Sequence, residues 1–201
     1  MQVWDWPTRV FHWTLAMSFA LAFITGESER WRDIHLLLGY TVLGLVAFRM
    51  LWGFIGSRYS RFAEFMPHPV AVLRYLVGLI RGDAQHPPGH NPAGAVVIGL
   101  LLLLATASGI SGWALDWEVG DDWLEQLHET SAYIMLVVVV CHIVGVVVSS
   151  ILQRENLITA MITGKKRGEA DQGIPRSYPL IALLMLAVLV GLWVWAWPER
   201  L

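Results

Sequence analysis

Charge and cysteine are both scarce in this 201-residue chain. Asp, Glu, Lys and Arg make up 15% of it, where a soluble domain carries about a quarter. Hydrophobic residues make up 56%, against roughly 45–50% in soluble domains. Cys141 stands alone, which excludes a disulfide framework and a Cys-x-x-Cys-His site. The opening MQVWDWPTRV has no Lys-rich region and no small-residue cleavage site follows it. The first apolar stretch is therefore expected to be retained rather than removed as a signal peptide. Internal repeats and low-complexity segments are absent, and no nucleic-acid partner is expected.

What is abundant is apolar sequence, and it comes in blocks. Stretches near 10–26, 34–56, 93–115, 123–152 and 178–197 each approach the length needed to cross a hydrocarbon core of about 30 Å. Backbone polar groups in lipid need internal partners, so these segments are expected to be helices. The expected fold is all-α, an integral membrane helical bundle in the lipid bilayer. Its single membrane domain, 1–201, comprises a four-helix core at about 8–152, a cytoplasmic linker at 153–177 and a fifth transmembrane helix at 178–197.

Lys and Arg concentrate in cytoplasmic loops. Arg9, Arg58, Arg61, Arg74, Arg81, Arg154, Lys165, Lys166, Arg167 and Arg176 would share one side of a five-helix protein. Arg30, Arg32 and Arg200 would lie on the other. This places the N-terminus in the cytoplasm. The opposite face carries Glu27, Glu29, Asp33, Asp116, Glu118, Asp121, Asp122 and Glu125 and is acidic. Within the inner loop, HPVAVLRYLVGLIRG (68–82) groups Val72, Tyr75, Leu76 and Leu79 on one face, as in an amphipathic helix at the membrane surface. KKRGEADQG (165–173) reads as a mobile polar linker. Cys141 reads as a small buried packing residue. Trp4, Trp6, Trp31, Trp113, Trp117, Trp123, Trp195 and Trp197 lie near helix ends and read as an interfacial belt.

Seven histidines remain to be explained. His68, His86 and His90 sit among prolines in the inner loop and are expected at the surface, with His90 close enough to helix 93–115 to serve a quinone head group or proton path. The other four lie in apolar helices, where an ionisable side chain is costly and points to function. His128 and His142 are fourteen residues apart on one helix, which puts them about 21 Å apart and on nearly the same side. His12 shares the depth of His142, and His35 that of His128. Interhelical hydrogen bonds would be the bland use of such residues.

Two facing pairs at two depths suit a haem better. Haem iron accepts one imidazole on each side of its ring, whereas zinc wants three or four clustered ligands; Asp33 and Glu129, close in sequence to His35 and His128, leave a weak outer metal site as the alternative. Gly39, four residues after His35, would let a macrocycle approach the backbone. Arg49, fourteen after His35, falls on the same face at the depth of the inner pair, where it would either neutralise a haem propionate or snorkel from the helix end. Gly109 and Gly112 would make room for the outer haem or for close helix packing.

The stretches VWDWPTRVFHW, HLLLGYTVLGLVAFRMLWGFIGSRYSRF, GHNPAGA, SGISGW, LHETSAY and ENLITAMITGKKR extend over residues 3–167. Carrying them, the chain resembles the bacterial cytochrome b561 family, especially the branch of b-type cytochrome subunits of nickel-iron hydrogenases. The resemblance implies a membrane bundle with two noncovalent haems b in its first four helices. It implies ligands at His12 and His142 for the inner iron, and at His35 and His128 for the outer one. A fifth helix is not part of the minimal four-helix form.

The expected activity is transmembrane electron transfer in the bacterial inner membrane. It would run between the quinone/quinol pool and a periplasmic redox partner, such as a basic c-type cytochrome attracted by the acidic face. Three other readings stand beside it. One is a superoxide:quinone oxidoreductase, with Arg30 and Arg32 as its local support. Another is the membrane anchor or electron-transfer subunit of a larger oxidoreductase such as a hydrogenase. The last is a haem-free anchor or transporter with packing or proton-relay histidines.

Overall fold

The computed structural model describes residues 1–66, 68–82 and 87–200, with side chains to residue 196. His86 lies outside the described residues. Five long helices form where the apolar blocks lie: α1 (Trp6–Thr25), α2 (Arg32–Ile55), α5 (Pro92–Asp116), α6 (Asp122–Leu152) and α8 (Pro179–Arg200). Between them stand α3 (Phe62–Phe65), α4 (Pro69–Arg81) and α7 (Leu157–Thr163), with short 3-10 turns at Glu29–Trp31, Arg58–Ser60 and Ala170–Gln172. Among the described residues there is no strand beyond one isolated bridge, Gln2 to Lys165.

Among the described residues, four helices are long and apolar enough to cross a membrane: Glu29–Ile55, Pro92–Asp116, Asp122–Leu152 and Pro179–Ala196. The sequence led us to expect five. The 20-residue α1 falls outside this set, since Arg9 and His12 dilute its first turns.

Local chemistry sets the ends of the shorter helices. Pro69 opens α4, where its missing N–H costs nothing. Gly82, at φ 77, closes it in the left-handed region that glycine enters freely. Asn156 caps α7 by accepting from Thr159 N–H at 2.9 Å. Asn91 does the same for α5, accepting from Gly94 N–H at 2.7 Å.

The chain divides into two compact units, and α2, α5 and α6 each contribute to both. The first unit comprises Met1–Asp5, Met50–Leu102 and Leu136–Ser177. Its core is Val3, Trp4, Tyr59 and Ile174, with Met1 and Met161 against it. The N-terminal segment is bonded into the 164–174 stretch. Val3 and Trp4 N–H both donate to Gly164 O, at 2.8 and 3.0 Å, and Ile174 N–H donates to Gln2 O at 2.9 Å. The segment expected to be a mobile linker is therefore tied down by backbone pairing that the polar composition of 165–173 does not reveal. Trp4, expected in an interfacial belt, is 6% exposed because it belongs to this core.

Asp5 is fully buried in the same unit. Its Oδ2 accepts from Trp52 Nε1 at 3.1 Å and Ser60 Oγ at 2.9 Å. The inward face of α4 holds Tyr75 and Gly78, with Val72 and Leu79 half-buried. Leu76, expected on that face, is exposed because it lies about 100° round from Tyr75. Cys141 is also exposed rather than buried. Its neighbours Val140 and Val144 share the outward side of α6.

The second unit comprises Trp6–Arg49, Leu103–Met135 and Tyr178–Leu201. Leu37, Leu38, Thr41, Val42, Leu45 and Val46 are buried along α2, the spacing of a single helical face. Trp193 Nε1 of α8 donates to Thr41 Oγ1 at 2.9 Å. On α5, small residues (Ala105, Ser108, Ser111, Ala114) make the buried face, and small side chains let membrane helices approach closely. A Cβ on Gly109 would come 3.0 Å from Leu43 Cδ1, so that glycine serves α5–α2 packing.

Candidate redox-cofactor site

His35, in the first turn of α2, and His128, on α6, meet within the second unit. Their ring centroids are 6.0 Å apart and their planes 80° apart. Each ring is held by a backbone carbonyl from a third helix. His35 Nδ1 lies 2.9 Å from Ala22 O of α1, and His128 Nδ1 lies 2.8 Å from Ser108 O of α5. A carbonyl can only accept, so Nδ1 carries the proton in both contacts. In a neutral ring that leaves Nε2 with its lone pair, the form in which histidine binds metal. Both histidines are thereby fixed in one tautomer.

Glycines shape the pocket around these rings. A Cβ on Gly112 would lie 2.8 Å from His128 Cε1 and 2.9 Å from Nδ1, so α5 must be bare there for the imidazole to sit. A Cβ on Gly26 would meet His35 Cε1 at 3.4 Å. A Cβ on Gly39 would meet nothing within 4 Å, so this turn of α2 faces open space. Of the two roles considered for Gly109 and Gly112, Gly109 packs helices and Gly112 seats a histidine.

The arrangement can be tested against haem b. An iron shared between the two imidazoles would need the rings close together, and their centroids are 6.0 Å apart. Both Nδ1 atoms are already engaged, as axial ligands require. Among the described residues no three His, Cys, Asp or Glu side chains cluster as a metal site would need. The donor set therefore fits an iron carried by a macrocycle and does not fit zinc.

His12 lies on α1 in the second unit, and His142 on α6 in the first. Both are half-buried. Arg49 is 3% exposed, so it does not snorkel out from the helix end. His90 ranks higher than its loop position suggested. Its ring lies between Trp4, at 4.7 Å, and Phe65, at 4.4 Å, and is half-buried. His68 is exposed, as expected.

Sequence reasoning missed Ala22 and Ser108, whose carbonyls hold the two rings, and, outside this site, the buried Asp5 of the first unit. Ser108 lies in the SGISGW stretch, where the glycines drew attention, and its role comes through a main-chain carbonyl. Asp5 lies in VWDWPTRVFHW, and its acidity in an apolar setting was the signal available.

The loop after α1 and the region joining α5 to α6, both in the second unit, present Glu27, Glu29, Glu118, Asp121, Asp122 and Glu125 as exposed carboxylates. Tyr40 OH donates to Asp116 Oδ2 at 2.7 Å, and the exposed Trp117 donates from Nε1 to Tyr40 OH at 3.2 Å.

Apolar helices long enough to span a bilayer and two imidazoles close together are what a multi-pass membrane cytochrome would need. The chain belongs to the prokaryotic cytochrome b561 family, whose model matches residues 3–164. It is similar to a probable Ni/Fe-hydrogenase B-type cytochrome subunit of Bradyrhizobium diazoefficiens, with 25% identity over 82% of this chain and 85% of the relative. A subunit of the same description from Rhodobacter capsulatus is 22% identical over 85% of this chain and 82% of its own. One from Azotobacter vinelandii is 23% identical over 85% and 90%. No solved structure matches. The chain is thus an electron-transfer membrane protein of b type, the type that carries haem b.

Proposed function

We propose that this protein passes electrons across the bacterial inner membrane through two noncovalent, bis-histidine haems b. The quinone/quinol pool would lie at one end of the path and a periplasmic redox partner at the other. The observation that carries the proposal is the His35–His128 pair, with both Nδ1 atoms on backbone carbonyls. His12 and His142 are proposed for the inner iron from their depth along the helices. Arg49 is proposed as the counter-charge for a propionate, supported by its burial. Gly39 is proposed to face the macrocycle, supported by the open space beside it.

Each haem supplies a reversible one-electron couple. The protein's own residues do the rest: His35 and His128 present Nε2, Ala22 O and Ser108 O hold the rings in place, and Gly112 leaves room for one of them. Burial and the hydrogen bonds to the ligands tune the potential. The exposed carboxylates of the outer loops suit a cationic partner such as a c-type cytochrome.

The proposed topology has five spans, with α1 counted despite its diluted first turns, and the N-terminus in the cytoplasm. The basic loops 57–91 and 153–177 support it. The relatives' descriptions favour a second reading, in which the chain is the membrane electron-transfer subunit of a larger oxidoreductase such as a hydrogenase. The two readings differ in the partner and agree on the haems.

The deciding experiment is a dithionite-reduced minus oxidised spectrum of the purified protein, with a pyridine haemochrome count. Two haems b per chain are expected. A count of zero in protein expressed with ample haem would return the four histidines to packing or proton relay.

A further inference from the structure

The C-terminal end of α6 carries a feature that the redox path does not use. Val147, Ser150, Ile151, Arg154, Glu155, Asn156 and Ile158 line a cavity of ≈ 300 Å³. Its walls are apolar and its rim is charged. All of it lies within the first unit.

The backbone at the rim is hydrogen-bonded. Gln153, Arg154 and Glu155 N–H donate to Ser149, Ile151 and Ser150 O, at 2.9, 3.2 and 3.1 Å. Ser150 Oγ donates to Val146 O at 2.7 Å and accepts from Leu157 N–H at 3.2 Å. The Ser149, Ser150 and Ile151 carbonyls, which would repel an anion at a helix C-terminus, are thereby capped. Arg154 occupies the left-handed position of this cap, at φ 50, where glycine is the favoured residue. Any side chain carries a conformational cost at that position, and glycine alone would avoid it.

The charge balance at the rim is positive. Arg167 Nη1 donates to Arg154 O at 3.2 Å, which brings a second guanidinium to the cap. The carboxylate of Glu155 is already committed, since it accepts from the Arg167 N–H and lies within electrostatic reach of Lys166. Below the rim, Val144, Val147, Val148 and Ile151 form an exposed apolar ridge along α6. α6 is long and apolar enough to cross a membrane, so the ridge faces acyl chains and the rim stands at headgroup depth.

We propose that this cavity seats one anionic phospholipid, with its phosphate at Arg154 and Arg167 and an acyl chain along Val147, Ile151 and the α6 ridge. Lysine and arginine clusters at the ends of membrane helices recognise anionic headgroups by charge. The continuity of the rim with a lipid-facing ridge selects a lipid over a soluble phosphate. The inference stands on the end of α6, the turn that follows it, α7 and Arg167, all within the first unit, and is independent of the haem count.

The test is thermal unfolding of the full-length protein in mild detergent, followed by tryptophan fluorescence. Phosphatidylglycerol, phosphatidylcholine and inorganic phosphate are added separately. For the wild type, saturating phosphatidylglycerol is expected to raise the midpoint by about 4 °C or more over phosphatidylcholine. Arg154→Gly removes the guanidinium and relieves the backbone, so it should fold at least as stably without lipid and lose that increment. Ile158→Glu, which puts a carboxylate at the cavity wall, should lose it too. An equal response to the two lipids, or a full increment in both variants, overturns the proposal. Inorganic phosphate reproducing the increment alone overturns it as well, because it would mark a soluble-anion site.

Discussion

His35 and His128 face each other at 6.0 Å between ring centroids, and each is pinned through Nδ1 to a carbonyl of a helix that neither belongs to. Four helices therefore converge on one pair of imidazoles: α2 and α6 supply the rings, α1 and α5 the carbonyls. An imidazole held this way cannot swing or change tautomer without breaking a part-buried hydrogen bond, which costs about 0.5–1.5 kcal/mol. Replacing either histidine with alanine should halve the haem content, from two per chain to one, by pyridine haemochrome. An unchanged ratio in His128→Ala would remove His128 from the ligand set.

Gly112 offers a subtler probe of the same site. Gly112→Ala places a methyl 2.8 Å from His128 Cε1, and a closely packed site yields to such an insertion only at about 1–3 kcal/mol. The ring must turn or the helices must part. The expected result is lower haem occupancy or a shifted potential for one haem in a redox titration. The control is Gly99→Ala, whose added Cβ meets nothing within 4 Å; it should leave both haems as they were.

Asp5 governs folding rather than redox chemistry. Asp5→Ala would remove the buried carboxylate that Trp52 Nε1 and Ser60 Oγ share as acceptor, while Ser60 Oγ keeps its contact with Ser57 Oγ. Losing buried hydrogen bonds of this kind costs on the order of 1–3 kcal/mol. The expected outcome is a melting temperature lowered by several degrees, with a smaller loss for Trp52→Phe. Wild-type melting in Asp5→Ala would mean that water replaces the carboxylate at no cost.

Lys166 makes stability depend on pH. Burial lowers its pKa from the ordinary 10.5, and the nearby Glu155 opposes that shift. Its Nζ donates to Pro88 O at 3.0 Å. The unfolded chain binds this proton more tightly than the folded one. Stability therefore rises with pH between the lowered value and 10.5. Lys166→Met removes the dependence. As pH is raised toward about 10, the wild type should gain melting temperature relative to the variant. A constant difference across that range would show that the amine is as well solvated folded as unfolded.

The sequence by itself determined the helices and most of what spans the membrane. Long apolar runs leave the backbone no partner in lipid except itself, so helix positions follow from composition within a few residues. The depths of His35 and His128 followed in the same way, because helical rise is fixed. Resemblance supplied the ligand assignment, and the family match over residues 3–164 agrees with the family it pointed to. The tertiary structure decided what depends on contacts between distant segments. Ala22 O and Ser108 O are main-chain atoms, so no side-chain pattern could announce them as the partners of the two rings. Trp4 looked interfacial and Cys141 buried. Instead Trp4 is buried, because it meets Tyr59 and Ile174 from remote parts of the chain, and Cys141 is exposed on the outward side of α6. The 165–173 stretch looked unstructured from its polarity, yet the N-terminal residues pair with its flanks through their backbone. Periodicity fixes which residues share a face, whereas packing alone settles what that face meets.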